Sequence, residues 1–131
     1  MQKFENFCKA LKNLEEINRY AQPYGTVELT GMVALYEICF EQAWKAMKEA
    51  LERAGRSEGK TGSPKLILKT AFSAGMIDDE SLWLSALESR NLAAHAYNEL
   101  VAQDIVSDAK AKYIDMFKAL KHEIEQNWLE D

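Results

Sequence analysis

The run Arg90-Asn91-Leu92-Ala93-Ala94-His95-Ala96-Tyr97 gathers a permanent cation, an amide, one of the two histidines and a phenol in a short stretch. These types permit phosphodiester cleavage without a metal. An imidazole can take the proton from a ribose 2′-hydroxyl or return one to the leaving 5′-oxygen, while a guanidinium neutralises charge building on the phosphoryl oxygens. One histidine supplies only half of that acid–base pair; two copies of His95 in a dimer would supply both, which points to twofold assembly. If the run is one ideal helix, Asn91 and His95 lie one turn apart and Arg90 and Tyr97 are nearly aligned. Arg90 and His95 then stand about 140° apart around the axis, so convergence on one site requires the long arginine to wrap round the helix or a second copy of the helix to supply the other half. The alternative is structural: His95 and Tyr97 pack at helix contacts and Arg90 pairs with a nearby carboxylate. His122, in the charged run KALKHEIE, is read as a surface residue without a role.

Other chemistries lack their residues. No GxxxxGK[ST], GxGxxG, HExxH or GxSxG motif is present, and the acidic residues are not grouped as a carboxylate metal site is, so neither a metal nor a cofactor is expected. Cys8 and Cys39 sit among apolar residues without a CxxC partner and are expected to be buried free thiols. Trp44, Trp83 and Trp128 fall on apolar stripes, where core or dimer contacts are expected rather than base-stacking platforms.

The elements that must position the cluster follow from periodicity. Phe4, Phe7, Cys8, Leu11, Leu14, Ile17 and Tyr20 recur on a helical period, predicting a helix over 2–20 that ends before Pro23 and Gly25. A second helix over about 27–54 carries the heaviest apolar load, from Met32 to Leu51, and is expected at the centre of the core, its start capped by Thr26 or Thr30. Residues 55–62, GRSEGKTG, read as a mobile loop. Ser63 and Pro64 open a short helix that Gly75 closes. Asp78 is expected to cap the next helix, running to about Tyr97 or Asn98, and Tyr113, Phe117, Leu120, Ile124 and Trp128 form a last stripe on one helix or two. Scarce glycine (6) and proline (2) and the absence of a strand pattern make the class all-α. Four principal helices and one short one in a 131-residue chain predict a single domain over 1–131, an antiparallel four-to-five-helix bundle.

Charge narrows the partners. The formal net charge of −5 opposes unspecific adhesion to nucleic acid or anionic lipid, and no DNA partner is expected. The balance is uneven: residues 53–69 carry Arg53, Arg56, Lys60, Lys65 and Lys69 against a single acid, giving +4 around the glycine loop. That segment is read as a solvated loop, or alternatively as a contact for nucleotide, RNA phosphates or an acidic partner. No apolar run approaches a membrane span, and the N-terminus lacks a signal peptide's apolar stretch, so a cytoplasmic protein is expected.

At the Arg-x4-His-x-Tyr cluster the chain resembles the HEPN superfamily, specifically the HepT-like, nucleotidyltransferase substrate-binding proteins. YEICFEQAWKAMKEAL, residues 36–51, is similar to that family's FE-x-x-FE-x-x-WK-x-x-K pattern, with Tyr36 in the first aromatic place. Residues 63–97, including AGMIDDE, Trp83 and the RN-x3-H-x-Y ending, are similar nearly throughout, and coverage runs over about residues 3–125. The resemblance implies a homodimer formed through the motif helices and assembly with a small nucleotidyltransferase, a toxin–antitoxin type pair. It also implies a metal-independent RNase site of Arg90 and His95 in a cleft between protomers, with Asn91 and Tyr97 in support. Tyr97 is the implied position of nucleotide attachment by the partner. The older view of this branch implies instead a non-catalytic substrate-binding subunit of a two-component nucleotidyltransferase.

Overall fold

A computed structural model describes residues 1–56 and 62–129, and every regular element among them is helical. The order is α1 (Gln2–Leu14), a 3-10 stretch Glu15–Arg19, α2 (Thr26–Arg53), α3 (Pro64–Ser73), α4 (Glu80–Leu92), a 3-10 turn Ala93–His95, α5 (Glu99–Asp108) and α6 (Ile114–Asn127). A π-helical stretch, Ala109–Tyr113, joins α5 to α6 into one long run, so the last stripe belongs to a single helix with a local widening. The all-helical class and the short α3 between longer helices are as predicted.

The boundaries differ in instructive ways. α1 ends as an α-helix at Leu14 and tightens to a 3-10 coil that still buries Ile17, while Tyr20 turns extended and lies 45% exposed, outside the stripe assigned to it. The Lys110 ammonium donates to the Tyr20 carbonyl and to the Tyr24 hydroxyl (2.7 Å), pinning the connection to the π-helical junction of α5 and α6. Neither threonine caps α2. Gly25 occupies the N-cap with extended backbone, and its own N–H donates to Glu28 Oε1 at 2.9 Å, so the glutamate one turn in closes the end. Ser63 caps α3 as predicted, accepting from the Leu66 N–H, and Pro64 occupies the first turn. Gly75 adopts φ +81°, which a side chain rarely tolerates. Its N–H donates to Phe72 and that of Met76 to Ala71, the paired bonds of a Schellman stop. Asp79, not Asp78, caps α4, accepting from the Leu82 N–H at 3.0 Å.

α2 is the central element, burying Tyr36, Cys39, Phe40, Ala43, Met47 and others and packing against α1, α3, α4 and α5. It runs antiparallel to α1, whose Lys3 N–H meets Glu49 near the end of α2 at 3.0 Å. An aromatic cluster ties the helices together: Tyr36 stacks on Tyr113 at 5.5 Å, and Trp83 meets the Phe117 ring edge-on at 5.5 Å. Phe7 and Phe40 extend it to α1 and α2. Its polar atoms are satisfied, since the Tyr36 hydroxyl donates to the Ala86 carbonyl and the Tyr113 hydroxyl bonds Ser85 (2.8 Å) and Ser89 (3.2 Å). Trp83 is core, whereas Trp44 and Trp128 are only partly buried. Cys39 is fully buried, but Cys8 only partly, because it faces the seam between α1 and α6 rather than the interior.

Burial has a consequence for pH. Desolvation pushes the Cys39 thiol well above its ordinary 9.0, and desolvation, reinforced by Tyr113, pushes the Tyr36 phenol well above 10.0. Beyond those values the unfolded chain has released protons that the fold retains, so stability falls as pH rises. The contribution is complete below about pH 9 and is lost at about 1.4 kcal/mol per pH unit for each group above its unfolded value. Urea midpoints followed from about pH 8 to about pH 10.5 should therefore decline, and Cys39→Ala should make the decline between about pH 9 and about pH 10 shallower, the partly buried Cys8 thiol, also raised by desolvation, keeping the remainder. An unchanged slope in that variant would show that another group drives the loss.

Candidate functional site

Arg90 lies in the last turn of α4, on a helix anchored by buried Trp83, Ala86 and Ser89. Its guanidinium reaches α2, where Nη2 donates to Glu41 Oε1 at 2.6 Å, and both side chains retain 30% exposure. Nη1 donates to Asn91 Oδ1 at 3.2 Å. The second Glu41 oxygen lies 3.7 Å from Lys45, so one carboxylate serves two cations. Ala34, Glu37 and Ile38 complete a shallow recess of about 330 Å³ around Arg90 and Glu41.

The rest of the cluster is not on that helix. α4 stops at Leu92 rather than at 97 or 98, the chain passes through the 3-10 turn Ala93–His95, and Tyr97 follows in a bend. The stop has a local cause: Asn98 adopts extended backbone and its side chain accepts from the Leu100 and Val101 N–H groups, which makes it the N-cap of α5. Asn98 followed by Glu99 and an apolar pair is a start signature that could have been read from the sequence. The helical-wheel relation between Arg90 and His95 therefore does not apply.

His95 and Tyr97 meet at 6.1 Å with rings at 69°, an edge contact, and both are exposed, Tyr97 to 87%. Neither packs at a helix contact. Arg90, by contrast, does pair with a carboxylate. The structure thus brings together Arg90, Asn91 and Glu41 on one side and His95 and Tyr97 on the other, with no hydrogen bond or ion pair joining the two groups among the described residues. Glu41 was not singled out by sequence; its signal was the glutamate of Phe40-Glu41 within the quoted aromatic–acid pattern.

Exposed apolar side chains flank these residues: Ile38 (52%), Leu92 (46%) and Leu100 (71%). Of the basic segment, Lys60 lies outside the described residues, and Lys69 pairs with Glu80 at 3.7 Å. No three His, Cys, Asp or Glu side chains group as metal ligands do, and no helix is long and apolar enough to cross a membrane, both among the described residues.

An all-helical domain that presents a cationic helix end beside an exposed histidine–tyrosine turn is the class that fold and site define. The chain belongs to the family described as nucleotidyltransferase substrate binding protein like, whose sequence model matches residues 2–126. It is 29% identical over 73 residues to a protein of Haemophilus influenzae named probable ribonuclease HepT, a match covering 54% of this chain and 50% of that one. The chain thus spans about half the length of the curated relative it matches. Among solved structures, one from Thermus thermophilus superposes with a TM-score of 0.75 at 25% identity, covering 95% of this chain and 99% of the other. HI0074 from Haemophilus influenzae, described as revealing the fold of a substrate binding domain of a nucleotidyltransferase, superposes at 0.79 with 20% identity over 94% and 99%.

Proposed function

We propose that this chain is the HepT-like subunit of a nucleotidyltransferase pair, that it acts as a homodimer, and that it cleaves RNA without a metal through Arg90 and His95. One observation carries this reading: His95 and Tyr97 stand exposed on a turn just past the end of the Arg90 helix, flanked by apolar side chains that water alone would not favour. Twofold association across Ile38, Leu92 and Leu100 sets a second histidine near the first and supplies the missing acid or base. Arg90 and its partner copy then face the phosphate, with Asn91 steadying the guanidinium. Tyr97, the most exposed phenol in the cluster, is the acceptor through which a partnered nucleotidyltransferase attaches nucleotide and silences cleavage. Membership in the substrate-binding family favours that partner, and the relative named probable ribonuclease HepT favours RNA cleavage.

A second reading is favoured by Glu41, whose carboxylate already neutralises Arg90. In it the subunit binds a substrate for the partner enzyme and cleaves nothing. Incubation of the purified dimer with total RNA in EDTA separates the two: cleavage supports the first, and intact RNA together with co-elution of a nucleotidyltransferase supports the second. A monomeric protein that neither cleaves nor co-elutes would remove both.

A further inference from the structure

Away from the motif residues, α1 and α6 enclose a groove of about 630 Å³ whose rim carries Lys9, Lys12, Lys118, Lys121 and His122 above a floor of Leu11 and Cys8. One ion pair and a shared lining relate the two helices. Glu15 of α1 meets Lys118 of α6 at 3.6 Å, and Cys8, Lys9 and Lys12 of α1 line the same groove as Lys121 and Glu125 of α6. Like charges gathered in one groove repel unless carboxylates or a bound anion offset them. The carboxylates on the rim, Glu15 and Glu125, are engaged by Lys118 (3.6 Å) and Lys121 (3.2 Å). Lys9 and Lys12 are left without a partner among the described residues. The lining is therefore net positive, four lysines against two glutamates, on a chain of net charge −5.

We infer that this groove is a binding site for a small phosphorylated molecule, separate from the Arg90–His95 cluster. Its volume lies within the range of about 300–1,000 Å³ typical of small-molecule sites. Lys9 and Lys12 from α1 and Lys121 from α6 approach the phosphate oxygens from both walls, His122 adds a ring N–H, and the aliphatic lysine stems with Leu11 cover the less polar part of the ligand. An extended acidic peptide is the competing occupant. The lining spans about two turns of each helix, from Cys8 to Glu15 and from Lys118 to Glu125, a length that fits a compact anion better than a strand or helix that must continue beyond both ends.

The test uses the whole protein and inorganic pyrophosphate as probe. Amide chemical shifts should move along α1 and α6 and not at residues 90–97, and the rate of Cys8 alkylation should fall as the groove fills, Cys39 being sealed in the core. Lys9→Glu with Lys12→Glu, both at exposed positions, should weaken pyrophosphate binding by tenfold or more while the far-ultraviolet spectrum and melting temperature stay those of the parent. Equal response to sulfate at matched ionic strength, shifts confined to residues 90–97, or unaltered binding in the double variant would overturn the inference. Displacement of pyrophosphate by a hexaglutamate peptide at lower concentration would overturn it in favour of an acidic partner. None of these readouts involves RNA cleavage, so failure here leaves the role of the motif cluster undecided.

Discussion

RNA incubated with the protein in EDTA should be spared by His95→Ala, with the cleavage rate falling by about 10²–10⁴, the usual loss when a positioned acid–base group is removed. Arg90→Ala should cost about 10²–10³, because the guanidinium acts on charge that develops during the reaction. Arg90→Lys should not restore the rate, since an ammonium lacks the planar fork that holds Glu41 and Asn91 together with a phosphate. Glu41→Ala tests a positioning role: the rate should fall severalfold through kcat while KM changes little, because Arg90 keeps its charge and loses its alignment. Folding does not confound the His95 result. His95 and Tyr97 are exposed and outside the core, and substitutions at such positions change stability by less than about 0.5 kcal/mol. A His95→Ala protein that cleaves at the parental rate would assign any cleavage to another site or to a contaminant and leave the substrate-binding reading.

Much of the arrangement was legible because it depends on period and punctuation. The stripe of Met32, Tyr36, Phe40 and Met47 marked α2 as the centre, and Ser63-Pro64 and Gly75 bracketed α3, since each of these works through local backbone geometry. What escaped was competition between neighbouring signals. Asp78 and Asp79 both suit an N-cap, and only the fold decides which carboxylate reaches the Leu82 N–H. Thr26 looked like a cap, but Glu28 satisfied the helix end from inside, leaving Gly25 free to take the extended position. The site suffered most from the same problem. Ala93, Ala94 and Ala96 are strong helix formers and argued for one helix through Tyr97, yet Asn98 starts a new helix and ends the old one. Glu41 was missed for a different reason: it stands in the aromatic–acid pattern, but nothing local names an arginine 49 residues away as its partner.

The largest loss of stability should come from Phe117→Ala, about 3–5 kcal/mol. Phe117 is fully buried and touches rings from three other helices: Phe7 on α1 at 6.1 Å, Tyr36 on α2 at 6.1 Å and Trp83 on α4 at 5.5 Å. Truncation removes its transfer free energy and leaves a void that cannot easily collapse, because its walls belong to separate helices whose spacing is set by Tyr113, Phe40 and Leu11 as well. For a chain of this length the cost corresponds to a drop in melting temperature of about 10–20 °C, measurable by calorimetry or by the urea midpoint. Phe117→Leu, which refills most of the space, should lose less than half as much. The same void sits under α4, so the helix end that carries Arg90 should loosen: hydrogen exchange at Ser89 and Arg90 should accelerate in Phe117→Ala more than at Leu66 or Ile67 on α3. If the exchange increase were uniform along the chain, α4 would be held by the global fold alone. A selective increase would show that the aromatic cluster is what positions the Arg90 end of the site.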